Sequence, residues 1–223
     1  MVNFLIPDWC QPLLSPQDEH SKKRLLLLRA AFDVIAEAGF EGLRTRAVAT
    51  LAGVNIATLH YYFPTKQNLI EGLAEFLGAK FLIIHGPQPA PSGYPALDRL
   101  RQEFSDGRYY VTHEPNMLLL LQELVVRGRR DPEVQKVVDM MNFHWQQEVE
   151  QIVLAGISSG VFRNDVAPQD LLALLMSVFS GKYITGRGDI DKAERAIETL
   201  LLSDKIKQEL KRSSGAEVQT EVI

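Results

Sequence analysis

The stretch that most constrains the fold runs from residue 45 to residue 66, where two short helical patterns flank a single glycine. It reads T-R-A-V-A-T-L-A-G-V-N-I-A-T-L-H-Y-Y-F-P-T-K. Thr45 is suited to cap the first helix, and Gly53 stands where the chain leaves that helix with a positive φ. Asn55 is a good cap for the second helix, which Pro64 brings to an end. Two helices joined by such a tight turn predict a helix-turn-helix unit.

A longer helix precedes this unit. The run K-K-R-L-L-L-L-R-A-A-F-D-V-I-A-E-A follows Ser21 and has apolar residues at helical spacing. We expect Ser21 to cap this helix and Gly39 to end it. The next predicted helix begins at Lys66 behind a Thr65 cap and runs to about His85, where a Gly- and Pro-rich stretch, H-G-P-Q-P-A-P-S-G-Y-P, forms a linker.

Taken together, these motifs resemble the DNA-binding domain of the TetR family of repressors. The resemblance rests on A-G-V-N-I-A-T-L-H-Y-Y-F-P-T-K-Q-N-L over residues 52–69, on the preceding helix that ends in A-E-A-G-F, and on the Y-F-x-x-K junction. It covers about residues 21–79. It implies a regulator whose second short helix enters the DNA major groove, and a connecting helix that links this head to a ligand-binding body.

Charge and cysteine content agree with such a protein. The net charge of the 223-residue chain is −4, but residues 1–80 are balanced, with 8 basic and 8 acidic side chains. A small basic footprint suits a dimer that reads a defined site better than a protein that coats DNA. A single cysteine, Cys10, excludes an intramolecular disulfide and suggests a reducing compartment. Since the start lacks a basic leader and no later run is long enough to span a membrane, we expect a cytoplasmic protein.

The rest of the chain has helical periodicity and regular turn signals, so an all-α fold is predicted. We divide the whole chain into four parts. These are an irregular N-terminal arm (1–20), a helix-turn-helix domain with its connecting helix (21–85), a helical ligand-binding and dimerisation domain (94–205) and a C-terminal tail (206–223). The second domain should contain helices at about 96–112, 116–128, 132–159, 168–185 and 191–202.

The resemblance implies a set of DNA-contacting residues. Arg46 is placed to read guanine, which arginine commonly contacts through two hydrogen bonds. The outward face of the second helix would read base edges, and hydroxyl and ammonium groups would hold phosphates. Where the family usually has tyrosine this chain has His60, and Tyr61 stands where histidine is common. The full set is Arg44, Thr45, Arg46, Asn55, Ile56, Ala57, Thr58, His60, Tyr61, Tyr62 and Lys66.

Two apolar stripes on the later helices predict a homodimer. In the family, two helices of each subunit form a four-helix bundle, and a two-fold dimer places both recognition helices on a palindrome. The alternative is that the stripes only close the core of one chain. The stripes are Val134, Val138, Met141, Trp145 and Ile152 on the first helix, and Leu171, Leu172, Leu175, Val178 and Phe179 on the second.

A small-molecule site is less well defined by the sequence. Aromatic and Met side chains with a few polar groups are typical of apolar ligand cavities, although the same residues at helical spacing also suit a plain core. The candidates are Phe104, Tyr109, Tyr110, Met117, Leu121, Met140, Phe143, His144 and Tyr183. His144 has no His, Cys or carboxylate at i+3 or i+4, so no metal site is predicted there.

Catalysis is not expected, and no cofactor is predicted. The chain has no nucleophile elbow, phosphate-cradling glycine loop or metal-ligand spacing. The sequence therefore predicts a repressor that a small, partly apolar effector releases from a double-stranded DNA operator. A DNA-binding regulator without a small-molecule ligand, controlled by a protein partner or acting as an activator, remains the alternative.

Overall fold

The structure is a computed structural model that describes residues 17–185 and 189–220, together with Leu13. The described residues are helical, apart from turns, loops and one isolated bridge between Phe162 and Leu202. The helices are α1 (Glu19–Ala38), α2 (Thr45–Leu51), α3 (Ile56–Tyr62), α4 (Lys66–Ile83), α5 (Pro95–His113), α6 (Pro115–Gly128), α7 (Pro132–Ser158), α8 (Pro168–Thr185), α9 (Ile190–Leu201) and α10 (Asp204–Thr220), with a 3-10 turn at Phe40–Gly42. The predicted all-α class is confirmed. None of these described helices is long and apolar enough to cross a membrane.

Helix boundaries up to α9 lie within two residues of the predicted ones, but two of the predicted caps are misplaced. α1 begins at Glu19, because the carboxylate of Asp18 accepts the Ser21 backbone N–H at 2.8 Å and caps the helix, three residues before the predicted cap. α2 has no side-chain cap, since Thr45 is its first helical residue and Arg44 occupies the cap position. Both predicted caps, Ser21 and Thr45, are therefore wrong.

The C-terminal segment also differs from its prediction. Residues 206–223 were expected to form a tail, but α10 spans Asp204–Thr220. Ile206 is buried, and Glu209 accepts a hydrogen bond from the hydroxyl of Tyr94. Tyr94 and Glu209 lie 115 positions apart in the sequence, so local composition does not reveal their contact. The predicted N-terminal arm falls almost entirely outside the described residues.

The chain divides into two compact units. The first comprises the described residues up to His85 together with Thr112–Asn142, and the second comprises Gly86–Val111 and the described residues from Phe143 onward. In the first unit α1 packs against α2, α4 and α6. The unit therefore includes α6, which the sequence analysis assigned to the second domain. Periodicity predicted the apolar face of α6, but it could not say which helices that face would cover.

The core of the first unit is formed by side chains that are wholly buried or nearly so. Five of its helices supply them: Leu27, Leu28 and Ile35 of α1, Val48 of α2, Leu59 of α3, Leu69, Ile70, Leu73 and Leu77 of α4, and Met117 and Leu124 of α6. Polar contacts add to this core at its edge. Lys80 forms an ion pair with Glu114 at 3.4 Å, and the Arg127 guanidinium lies 5.7 Å from the centre of the Phe40 ring.

The core of the second unit contains an aromatic cluster. The Phe179 ring of α8 lies 4.8 Å from that of Phe104 on α5 and 5.5 Å from that of Trp145 on α7. Arg101 of α5 forms a two-pronged ion pair with Glu198 of α9, at 2.6 and 2.9 Å. Because Arg–carboxylate pairs of this geometry are directional, the pair fixes the register of α5 against α9.

The linker after α4 is held by a buried carboxylate. Asp106 of α5 accepts the backbone N–H of Gly86 and the side-chain amide of Gln102, each at 2.7 Å. A Cβ at Gly86 would lie 2.5 Å from the carbonyl oxygen of Ser105, so only glycine fits this approach. The chain is thus anchored three residues after α4 ends.

We expect Asp106→Ala to lower the free energy of unfolding by about 1–3 kcal/mol, because it leaves the buried Gly86 N–H without its acceptor. Asp106→Asn keeps an acceptor oxygen and should lose less. Urea unfolding at fixed protein concentration measures both. Asp33→Ala, at an exposed position of α1, is the control and should change little. Equal stability of the Asp106→Ala variant and the unmodified protein would contradict this role.

Candidate nucleic-acid interface

The two short helices are joined by a turn that requires glycine. Gly53 has a φ of 64°, as predicted, and its N–H donates to the Thr50 carbonyl at 3.1 Å. The next residue, Val54, donates to the Ala49 carbonyl at 3.0 Å. These bonds close the end of α2 and direct the chain at once into α3. The helix-turn-helix unit predicted from the sequence is therefore present.

Helix α3 is capped at its start and anchored by two buried apolar side chains, one within it and one directly after it. The side-chain oxygen of Asn55 accepts the Thr58 backbone N–H at 2.7 Å and the Thr58 hydroxyl at 2.9 Å. Leu59 is completely buried, and Phe63, which follows the helix, is 2% exposed. The predicted Asn55 cap and the inward position of Phe63 are confirmed. One face of α3 is thus fixed to the rest of the first unit, and the other face is open to solvent.

All of the residues predicted to contact DNA retain access to solvent. Tyr61 is the more open of the two tyrosines, with 71% of its surface exposed. The exposed members are Arg44, Arg46, Asn55, Ile56, Ala57, His60, Tyr61 and Lys66, and the half-buried members are Thr45, Thr58 and Tyr62. They lie on α2 and α3, at the cap residues that precede these two helices, and at the first residue of α4.

The cations of this surface are not neutralised within the described part of the chain. Arg44, Arg46 and Lys66 form no ion pair with any described carboxylate. By contrast, Lys22 at the start of α1 pairs with Glu19 at 2.8 Å, and Arg24 pairs with Glu75 at 2.8 Å. Unpaired cations on an exposed face are chemically suited to phosphate oxygens or base edges.

One residue beside this surface was not predicted. The ring of His20, in the first turn of α1, lies 4.6 Å from the Tyr62 ring and 6.1 Å from the Tyr61 ring. The neighbouring Asp18 has a lowered pKa, mainly because the Ser21 backbone N–H and hydroxyl bind its carboxylate. More than forty residues separate His20 from Tyr61 in the sequence, and no local pattern signals the contact.

The predicted ligand-binding residues divide between the two units. Met117, Leu121 and Met140 belong to the first unit, where Met117 is fully buried. Phe104, Tyr109, Tyr110, Phe143 and His144 belong to the second. Of these, Phe104 lies in the aromatic core, whereas Phe143 is 58% exposed. The side chain of Tyr183 lies outside the described part. The candidates are thus divided between the two units, and the ligand site stays a prediction.

No group of His, Cys, Asp and Glu side chains among the described residues is arranged to hold a metal ion. His144 is half-buried, and its ring lies 6.0 Å from that of Phe143.

The predicted dimer stripes are mostly internal to one chain, so the prediction that they form the interface is wrong for their buried members. Seven of them are less than 9% exposed: Val134, Val138, Ile152, Leu171, Leu172, Leu175 and Phe179. Periodicity located the apolar faces of α7 and α8 but could not separate a core face from an interface. The apolar residues that these two helices do expose in the second unit include Phe143, Leu154 and Leu174.

Comparison with known proteins relates both the candidate interface and the whole fold to one group of regulators. Residues 27–73 match the family model described as bacterial regulatory proteins, tetR family. The chain is 45% identical over 49 residues to the HTH-type transcriptional regulator RutR of Escherichia coli K12, a match that covers 22% of the chain and 23% of RutR. The chain thus matches about a quarter of the length of RutR.

Two further matches extend beyond the interface. The HTH-type transcriptional repressor NicS of Pseudomonas putida is 28% identical over 142 residues, which cover 63% of the chain and 66% of NicS. The crystal structure of a TetR transcriptional regulator from Agrobacterium tumefaciens superposes with a TM-score of 0.65 over 85% of the chain and 99% of that protein, at 18% identity. At 18% identity, this likeness shows that the two proteins share a fold and nothing more.

Proposed function

Because the chain belongs to the TetR family of bacterial regulatory proteins, we propose that it is a repressor that binds a palindromic operator as a homodimer and that a small, partly apolar effector releases it. The observation that carries the DNA-binding part is the exposed surface of α2 and α3. Every residue proposed to contact DNA there is accessible, while Leu59 and Phe63 anchor the same unit from within.

In the proposed complex, α3 lies in the major groove and its exposed side chains meet base edges. Arg46 reads guanine, Ile56 or Ala57 contacts a thymine methyl group, and His60 and Tyr61 contact neighbouring base edges. Thr45, Tyr62 and Lys66 hold the phosphates. The Thr58 hydroxyl donates to Asn55 in the free protein, so Thr58 must exchange that bond for one to a phosphate oxygen.

The proposed dimer uses the outer face of α8 with part of α7. The exposed residues of α8 include Ala173, Leu174, Ser177 and Gly181, which recur at helical spacing. A Cβ at Gly181 would have no other atom within 4 Å, and the Ser177 hydroxyl is satisfied by the Ala173 carbonyl at 2.8 Å. Small residues of this kind allow a second helix to approach closely, and Leu174 supplies apolar surface for burial.

Release by a ligand requires a path from the body to the recognition helix. α4 begins at Lys66, on the proposed DNA surface, and its C-terminal end is followed closely by Gly86, which Asp106 of α5 holds. An effector that shifts α5 would therefore act on the end of α4. The effector must bind the DNA-free conformation more tightly than the DNA-bound one, since otherwise no equilibrium shifts.

Selection of duplexes from a random pool should enrich a palindrome with half-sites about one helical turn or more apart. We expect Arg46→Ala to cost about 1–3 kcal/mol of operator affinity and to relax specificity at one base pair, whereas Lys66→Ala should weaken all sequences alike and lower the salt slope by about 1. Arg29→Ala, at an exposed site on α1, is the control. If both test variants bind like the unmodified protein, the assigned contacts are wrong.

A charged residue introduced into the proposed interface tests the dimer. Leu174→Asp should convert the dimer to a monomer in analytical ultracentrifugation, because a carboxylate at the two-fold contact loses its hydration without a partner. The matched control is Leu200→Asp, which changes an exposed leucine of α9 outside that face. A Leu174→Asp protein that stays dimeric at micromolar concentration would place the interface elsewhere.

A thermal-shift screen with a library of apolar and partly polar small molecules tests whether the protein binds a small-molecule effector. A true effector should raise the melting temperature of the DNA-free protein, because it binds only the native state, and it should lower operator affinity in proportion to its own concentration. A library that raises no melting temperature while operator binding is intact would favour the alternative, a regulator controlled by a protein partner.

A further inference from the structure

The Arg24 side chain of α1 occupies an internal position next to the recognition helix. Its Nη2 donates to the Glu75 carboxylate of α4 at 2.8 Å, and the centre of its guanidinium lies 5.4 Å from the centre of the Phe63 ring. Both Arg24 and Glu75 are half-buried. The guanidinium is therefore neutralised by α4 and rests on the residue that ends α3, so its charge is directed into the unit rather than toward solvent.

Phe63 is approached by a second element at unusually short range. A Cβ built on Gly72 of α4 would lie 2.9 Å from Cε1 of Phe63, 3.0 Å from Cδ2 of Leu28 and 3.3 Å from Nη2 of Arg24. Gly72 is in a helix and needs no positive φ, so backbone conformation does not explain why glycine stands here. Glycine is explained by space, because it lets the α4 backbone come close to the aromatic ring.

The position of Phe63 determines the position of the recognition helix. Phe63 follows Tyr62 directly, and its N–H donates to the Leu59 carbonyl at 2.8 Å, closing the last turn of α3. A shift of the buried ring would therefore tilt the turn that carries His60 and Tyr61. A seven-residue helix has little stability of its own to resist such a shift.

We infer that Arg24, Gly72 and Glu75 form a clamp on Phe63 that sets the orientation of α3 in the major groove, and that Arg24 is a positioning residue for DNA recognition. This inference rests on the proposed DNA-binding function. The clamp acts on base discrimination and leaves the phosphate contacts to other residues. Arginine suits this position because its planar guanidinium can lie along a ring while its fork of N–H groups binds a carboxylate, a geometry that the compact lysine ammonium does not reproduce.

The test compares Arg24→Met, Arg24→Lys and Gly72→Ala with the unmodified protein and with Arg29→Met, a control on the same helix. For each protein the dissociation constants are measured for the selected operator and for a scrambled duplex of equal length, over a range of salt. Circular dichroism and the melting temperature report folding. Gly72→Ala is informative because alanine favours the helical backbone, so any loss must come from the contacts of its Cβ with Phe63, Leu28 and Arg24.

We expect Arg24→Met and Gly72→Ala to lower the ratio of specific to non-specific affinity about tenfold, close to the discrimination of one base pair. Scrambled-duplex affinity and the salt slope should stay unchanged, since neither residue contacts phosphate. Arg24→Lys should lie between these variants and the unmodified protein, and Arg29→Met should behave like the unmodified protein. A residue that only stabilised the fold would lower the melting temperature without changing this ratio.

Three results would overturn the clamp. An unchanged ratio in Arg24→Met and Gly72→Ala would show that Phe63 needs no such support. An equal loss on both duplexes with a smaller salt slope would show that Arg24 contacts phosphate instead. Should those variants fail to fold, unchanged specificity in Arg24→Lys would decide against the clamp. If the unmodified protein shows no sequence preference, the proposed function itself fails, and this outcome is visible before any variant is made.

Discussion

The burial of Leu59 and Phe63 is the constraint on which the candidate interface depends. Helix α3 has seven residues, too few for a stable helix in water, so its shape and direction must come from packing. The Asn55 cap satisfies the first turn, and the two apolar side chains fasten the helix to the first unit. Because that face is fixed, the remaining face is held open, and this face contains the residues suited to reading DNA.

The same packing explains why α6 belongs with the N-terminal helices. α1 and α4 each present more apolar surface than the two short helices can cover, and α6 packs against both. The contacts Lys80 to Glu114 and Arg127 to Phe40 then secure its ends. Helix α7 continues from this unit into the second one, since the division falls between Asn142 and Phe143. The continuous helix α7 and the linker anchored at Gly86 are therefore both connections between the first unit and the second.

Charge is distributed in the way this arrangement requires. The cations on α2 and at the start of α4 are unpaired within the described chain, whereas the cations that lie deeper, such as Arg24, Arg101 and Arg108, each bind a carboxylate. Buried or half-buried charges need a partner because their desolvation is costly. Unpaired cations on the candidate DNA surface are available to phosphate groups. A chain of net charge −4 can therefore still present a local positive face to DNA.

The sequence by itself determined the helical class, nearly every helix boundary up to α9, the glycine turn at Gly53 and the residues of the candidate DNA surface. These features are local: caps, turn residues and apolar spacing act over a few positions, and the family motif is contiguous. Tertiary structure alone decided that α6 joins the first unit and that His20 lies beside Tyr62. It also decided that Arg24 binds Glu75 and that most residues of the stripes on α7 and α8 are buried within one chain. Periodicity shows that a face is apolar, but which surface covers it depends on contacts between distant parts of the chain.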